Sequence, residues 1–315
     1  MVLDVRRLRV LREVALRGTI AAAADALGYT PSAVSQQLSA LEREAGVAVL
    51  ERTGRGVRLT GEGETLVRHT DLIIAELERA EVALELGRSS VSGRVRVAAF
   101  SSVTSAILAP AVASLADDYP DLDVTIVESD PTEALRDLRL GELDLVVAHE
   151  YDHLLVPPDP EICRRELFAE DMLIAAPVGR FIAGTPLVLP ALADEVWAAA
   201  PARSDCGTAV REACRAGGFE PNVRYEFTEF AVILHLVAAG LAIAMLPQLA
   251  FTEPITGYTV HPVEVGGFRR RIFTAARTGS KDRPAVVAVL AALERAVDSF
   301  LPSALVGGSA ATPDS

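Results

Sequence analysis

An uncharged hydrogen-bonding run occupies residues 30–39, where Thr30, Ser32, Ser35, Gln36, Gln37 and Ser39 are interleaved with the apolar Ala33, Val34 and Leu38. Amides and hydroxyls both donate and accept, so such a face can match the edges of base pairs in a duplex groove without the sequence-blind pull of a cation. Arginine supplies the other kind of contact, and Arg52, Arg55 and Arg58 are spread along a glycine-rich stretch a few residues later. Guanidinium groups suit phosphates and the minor groove. The chemistry offered here is base reading beside phosphate anchoring.

A second set of groups suits a small molecule. Phe100-Ser101-Ser102-Val103-Thr104 places three hydroxyls where an apolar strand gives way to a helix, a combination that welcomes a carboxylate or another oxyanion. Other strand ends deliver Glu128 and Ser129, His149 and Glu150, Ser204 and Asp205, and Thr228. Acids beside hydroxyls favour an amine or several hydroxyls on the ligand, so an amino-acid-like molecule satisfies both.

Two patterns carry less than their letters suggest. His149-Glu150-Tyr151-Asp152-His153 spells the zinc-protease motif, but that chemistry needs a helix. Here the motif follows the strand-like LDLVVA and runs into LLVPPDP, whose prolines stop a helix, so no metal and no cofactor is expected. Cys206 and Cys214 could form a redox pair, yet eight residues of helix separate them by about 12 Å at 1.5 Å per residue, too far to bridge without unwinding.

These groups need elements to hold them. Residues 4–16 read as a helix and residues 20–27 as another, stopped by Gly28; Thr30 can cap a third, with Pro31 in its first turn. Val47 to Thr60 reads as a two-stranded hairpin. From Gly61 to about Leu86, Leu66, Thr70, Ile73, Leu77, Ala80 and Leu84 recur at four and three residues, a heptad seam that calls for a partner helix. Leu66, Ile73, Leu77 and Leu84 are its dimerisation positions. GRSSVSG at 87–93 reads as a linker. Strands at 94–99, 124–127 and 143–148 then alternate with helices at 107–119 and 132–140, a βαβαβ run and so a parallel sheet. Strands at 172–176, 196–200, 223–227 and 242–246 with helices at 208–216 and 229–239 make a second α/β unit, and a strand at 270–276 and a helix at 284–300 close the chain.

The order helix, A-x-x-L, turn, A-V-S-x-Q-L-x-x-L-E, then L-E-R-x-G-R-G-V-x-L-T-x-x-G resembles the amino-terminal region of LysR-type transcriptional regulators, from about Leu8 to Leu86. Where many members open the recognition helix with Ser-Gln-Pro this chain has Thr30-Pro31-Ser32, so no glutamine contact transfers to Pro31. The resemblance implies a winged helix-turn-helix at 1–60, a linker helix at 61–91 and a two-lobed α/β effector domain of periplasmic-binding-protein type at 92–302. Lobe I would hold 92–163 and 269–302 and lobe II 164–268, joined by two crossing strands near 163–169 and 265–272, with a disordered tail at 303–315. It further implies double-stranded operator DNA and a small-molecule effector as partners, and a homodimer or a homotetramer built as a dimer of dimers. Peroxide-sensing members carry a redox pair in the region of Cys206 and Cys214, which keeps a redox-sensing regulator as the alternative. A solute-binding or enzymatic domain fused to a DNA-binding head is the remaining one, although no nucleophile elbow or phosphate loop is found.

Charge must be divided by region. The 315 residues carry a net −13, but residues 1–60 hold nine arginines against six acids, giving +3 and leaving −16 for the rest. Such a chain repels DNA except at one end. Hydrophobic residues make up 50% of the chain, enough for several cores, and three scattered cysteines with no apolar leader point to a cytoplasmic protein.

Overall fold

A computed structural model of the chain describes residues 3–53, 56–87, 90–152, 154–155, 158–252, 255–264 and 268–306. Three helices, α1 (Val5–Arg17), α2 (Ile20–Leu27) and α3 (Pro31–Ala45), are each capped by a side-chain oxygen, from Asp4, Thr19 and Thr30 in turn. Gly18, Gly28 and Gly46 end them in the left-handed region, at φ near 70°, that an L side chain resists. Strands β1 (Leu50–Thr53) and β2 (Gly56–Leu59) form an antiparallel wing. Their core is Leu8, Leu11, Val14, Ala23, Ala24, Val34, Leu38, Leu41 and Val49.

Helix α4 (Gly61–Glu85) starts against that wing so closely that a Cβ on Gly63 would stand 2.1 Å from the Val49 carbonyl oxygen. Its Leu66, Val67 and Ile73 join the core of the head.

The remainder is α/β. Strands β3 (Gly93–Ala99), β4 (Leu122–Glu128) and β5 (Leu145–Tyr151) are parallel, and β11 (Arg269–Arg277) runs antiparallel between β5 and β6 (Ile162–Pro177). One helical run at 101–118 begins as α5 (Ser101–Val103), passes through a π turn (Thr104–Leu108) and continues as α6 (Ala109–Asp118), while α7 (Pro131–Leu140) packs on the opposite sheet face. Strand β6 crosses without a break into the second lobe, where its far half pairs with β9 (Ala244–Pro247) and β10 (Tyr258–Pro262). There β7 (Val196–Ala199) and β8 (Asn222–Glu226) are parallel, flanked by α8 (Asp205–Ala216) and α9 (Phe230–Ala238) around buried Trp197. Helix α10 (Pro284–Val306) returns to the first lobe.

Three expectations need correcting. The helix after β3 begins at Ser101, not Ile107, because Phe100 already accepts from the Thr104 amide. The last helix runs to Val306, four residues into the expected tail; residues 307–315 lie outside the described residues. The crossing strand expected near 163–169 and the strand expected at 172–176 are one unbroken strand, β6, and β10 has no counterpart among the expected elements.

Candidate functional site

The exposed edge of α3 presents Ser32, Ser35 and Gln36 to solvent beside Thr30. The Thr30 hydroxyl accepts from the Ala33 amide at 3.2 Å and meets the Ser32 hydroxyl at 3.0 Å, while Ser35 donates to the Pro31 carbonyl at 2.9 Å. Gln37 needs correcting as a reading residue: it is half-buried, and its side-chain oxygen accepts from Arg7 Nε at 3.2 Å across to α1. On the wing, Arg58 lies 2.8 Å from Glu51 of the paired strand, so part of its charge is matched. Arg52 sits on β1, and Arg55 lies outside the described residues.

Along α4 the seam divides. Leu66 and Ile73, expected to face a partner, are packed into the chain's own head core, whereas Leu77 and Leu84 are open to solvent, Leu84 at 78% exposure. Leu72 and Leu86 are exposed beside them. An apolar groove of about 340 Å³ lies at the other end of the helix, lined by Leu3, Ala45, Val47, Thr65 and Leu66.

Where the two lobes meet, strand register builds a buried polar row. Tyr151 on β5 lies opposite Arg270 on β11, which lies opposite Glu170 on β6, so the three side chains share one sheet face. Arg270 and Glu170, 1% and 3% exposed, pair at 2.7 Å through Nε. Arg270 also donates to Ser102 Oγ at 3.2 Å and lies over the Phe100 ring at 4.8 Å, while the Leu249 amide donates to Glu170 at 2.6 Å. Both lobes thus grip one ion pair.

Next to it stand two polar atoms sealed from water: His149 Nδ1, with no hydrogen-bond partner among the described atoms, and Tyr151 Oη, whose side-chain neighbour is the Cys206 thiol, a weak partner. Their rings meet edge to face at 5.4 Å, and His149 also meets Phe100 at 4.6 Å. Burial, then the Arg270 charge, holds His149 well below its ordinary range, so the ring is neutral near pH 7. Burial likewise pushes the Tyr151 phenol well up, with Cys206 at the start of α8 beside it. A buried donor or acceptor left unpaired costs on the order of 1–3 kcal/mol.

The rim carries the remaining groups. Asp130 caps α7 from the first lobe and Ser204 caps α8 from the second, and Asp205 is raised by burial and then by the charge of Asp130. Ser101 is exposed, Thr104 donates to the Phe100 carbonyl at 3.0 Å, Ser129 donates its amide to Ala99 at 3.3 Å, and Glu128 and Thr228 are exposed. Glu150 needs correcting: strand alternation turns it to the face opposite His149. That same strand separates the two residues of the zinc-like motif, whose His153 lies outside the described residues. Sequence reasoning missed Tyr151, Glu170 and Arg270 as site residues; charges inside apolar strands at Arg270 and Glu170 were the available signal. Cys206 and Cys214 sit on one helix, and burial raises both thiols, Cys214 to about 12.

A family model described as "Bacterial regulatory helix-turn-helix protein, lysR family" matches residues 5–64, and one described as "LysR substrate binding domain" matches residues 88–298. A relative described as the probable HTH-type transcriptional regulator LrrA of Synechococcus elongatus is 29% identical over 79% of this chain and 82% of its own length. A probable hydrogen peroxide-inducible genes activator of Streptomyces viridosporus is 28% identical over 90% of this chain and 91% of its own length. In fold, a full-length OxyR variant from Pseudomonas aeruginosa superposes with a TM-score of 0.64 at 22% identity, covering 93% of this chain and 98% of that one. Full-length CbnR complexed with its target DNA superposes at 0.54 and 21%, covering 94% and 100%.

Proposed function

Since the chain belongs to the LysR family of transcriptional regulators, a family of DNA-binding proteins with an effector-binding domain, we propose that an amino-acid-like molecule held between its two lobes sets the geometry of its DNA-reading heads. The observation that carries this reading is the unpartnered His149 Nδ1, sealed at the joint of the lobes beside Tyr151, whose hydroxyl has only the weakly bonding Cys206 thiol for a side-chain partner. A carboxylate would be met by Ser101 and Ser102 where the helical run 101–118 opens its free amides, and an amine would relieve the repulsion between Asp130 and Asp205. A ligand touching both lobes favours one inter-lobe angle, and only that differential contact can shift the population.

On the DNA side, Ser32, Ser35 and Gln36 would address base edges, with the wing arginines Arg52, Arg55 and Arg58 on the backbone. Dimerisation would use the exposed leucines of α4: in an antiparallel pair, Leu84 and Leu86 of one copy come over the groove at Leu3, Val47 and Leu66 of the other. No described helix is long and apolar enough to cross a membrane, in keeping with work on DNA in the cytoplasm.

The test is a thermal-shift screen of zwitterionic amino acids on the full-length protein, followed by footprinting on the promoter beside its own gene. A hit should raise Tm in the wild type, do so far less in His149→Ala, and alter the footprint; stabilisation that survives both His149→Ala and Asp205→Asn unchanged sinks the assignment. Gln36→Ala should cost about 1–3 kcal/mol of discrimination between operator and random duplex, read by competitive binding at fixed salt.

A further inference from the structure

The DNA-reading head is bolted to the first lobe of its own chain through a charge cluster that neither DNA contact nor the cleft uses. Arg12, on α1, is 7% exposed and pairs with Asp71 of α4, 8% exposed, at 2.5 Å. Its Nη2 donates to the Arg139 carbonyl at the end of α7 at 2.9 Å and lies 3.4 Å from Glu161, just before β6. Glu161 also faces Arg139 at 3.3 Å, and Arg139 lies 3.4 Å from Asp159. One arginine therefore joins three parts of the chain that are 59, 127 and 149 residues away from it.

The contact extends along the linker helix. Arg17 pairs with Glu142, Arg277 with Glu78 at 2.6 Å, and Arg283 with Glu85 at 3.4 Å. Gly279 approaches α4 so closely that a Cβ there would lie 2.7 Å from the Ala75 carbonyl oxygen. Beside the cluster a cavity of about 560 Å³, lined by Glu64, Arg68, Asp71, Arg139, Asp159 and Glu161 among others, gives solvent a route to the carboxylates.

We propose that this cluster is a proton-operated latch, with Arg12 as the catch and Glu161 as the release, that fixes the orientation of the reading head on its own effector domain. Three carboxylates, Asp71, Asp159 and Glu161, lie within 4 Å of two guanidinium groups, Arg12 and Arg139, and Asp71 and Glu161 share Arg12. Burial and the neighbouring Asp71 raise Glu161 from 4.5 to about 7 against the opposing pull of Arg139 and Arg12. Released from the head, Glu161 returns toward the ordinary value. The docked state therefore holds the proton more tightly, so docking is strongest below about pH 4.5, weakens as pH rises from there through about 7, and levels off above it. The exposed residues of α3 stay uncovered in the docked state, so the latch governs where the head points and leaves its reading surface open.

The experiment uses the full-length chain with a pH-insensitive dye pair at Ser39 and Asp117, diluted with excess unlabelled chain so that each assembly holds one pair. From pH 5.5 to pH 8.5 the odds of the docked distance should fall about 30-fold in the wild type, given the shift from 4.5 to about 7. Glu161→Gln should stay docked at both ends, and Arg12→Ala should be largely undocked at both while still binding DNA at low salt. A wild-type change below twofold overturns the latch, as does a Glu161→Gln variant that keeps the full response, which would move the proton to another group. Should Arg12→Ala fail to fold, Glu161→Gln alone decides.

Discussion

Two buried charge clusters hold this chain together, and they are built on opposite plans. At the joint between the lobes one arginine meets one carboxylate, both almost dry, and the remaining donors and acceptors are taken by Ser102 and the Leu249 amide. At the joint between head and lobe, Arg12 and Arg139 face Asp71, Asp159 and Glu161 beside an open cavity. A matched, dry pair has nothing to exchange with solvent and is costly to break. An overfilled, wet cluster has one carboxylate too many and settles the imbalance by taking up a proton. The first plan makes a hinge pin; the second makes a switch.

The contrast is broken most directly at the pin. Glu170→Ala leaves Arg270 buried without its partner and should cost about 3–5 kcal/mol in urea denaturation, with more than half restored when Arg270→Met is added. Equal losses in the single and double variants would mean that shape, not charge, matters there. At the switch the same kind of change should have the opposite sign. Glu161→Gln, which stands in for the protonated acid, should favour docking about 300-fold at pH 8.5, or about 3.4 kcal/mol at 25 °C, and about 10-fold at pH 5.5, where the free carboxyl is already mostly ionised. Gly279→Ala separates shape from charge at that interface: it should lower docking about tenfold at every pH, from the overlap with Ala75, and keep the same ratio between pH 5.5 and pH 8.5. The smallest effect belongs to the cleft rim. Asp205 is raised by burial and by Asp130, so its ionised form opposes the ligand-free fold as pH rises, and Asp205→Asn should stabilise the free protein by about 0.5 kcal/mol at pH 7 in a melt.

The head was legible in the sequence because its signals are local. Thr30, Pro31 and Gly28 act through a hydrogen bond, a fixed φ and a left-handed φ within a few residues of themselves, and Val34, Leu38 and Leu41 share a face by helical period alone. The strand-end hydroxyls at 101–104 were found for the same reason. Gln37 read as a free amide because nothing within its own helix announces Arg7, thirty residues back. Likewise, heptad spacing placed Leu66 and Ile73 on one stripe with Leu77 and Leu84, but spacing does not say whose core covers a stripe.

Sequence by itself determined the reading helix, the wing, the alternation of strands and helices and the sign of charge at each end, since caps, periodicity and composition act over a turn or two. Tertiary structure alone decided which of those charges meet. Register across three strands brings Tyr151, Arg270 and Glu170 into one row, and docking of α1 and α4 on the first lobe brings Arg12 to Asp71 and Glu161. Both results depend on contacts between residues 59 to 149 positions apart, where a side chain's protonation and partner follow from burial and geometry that no local pattern encodes.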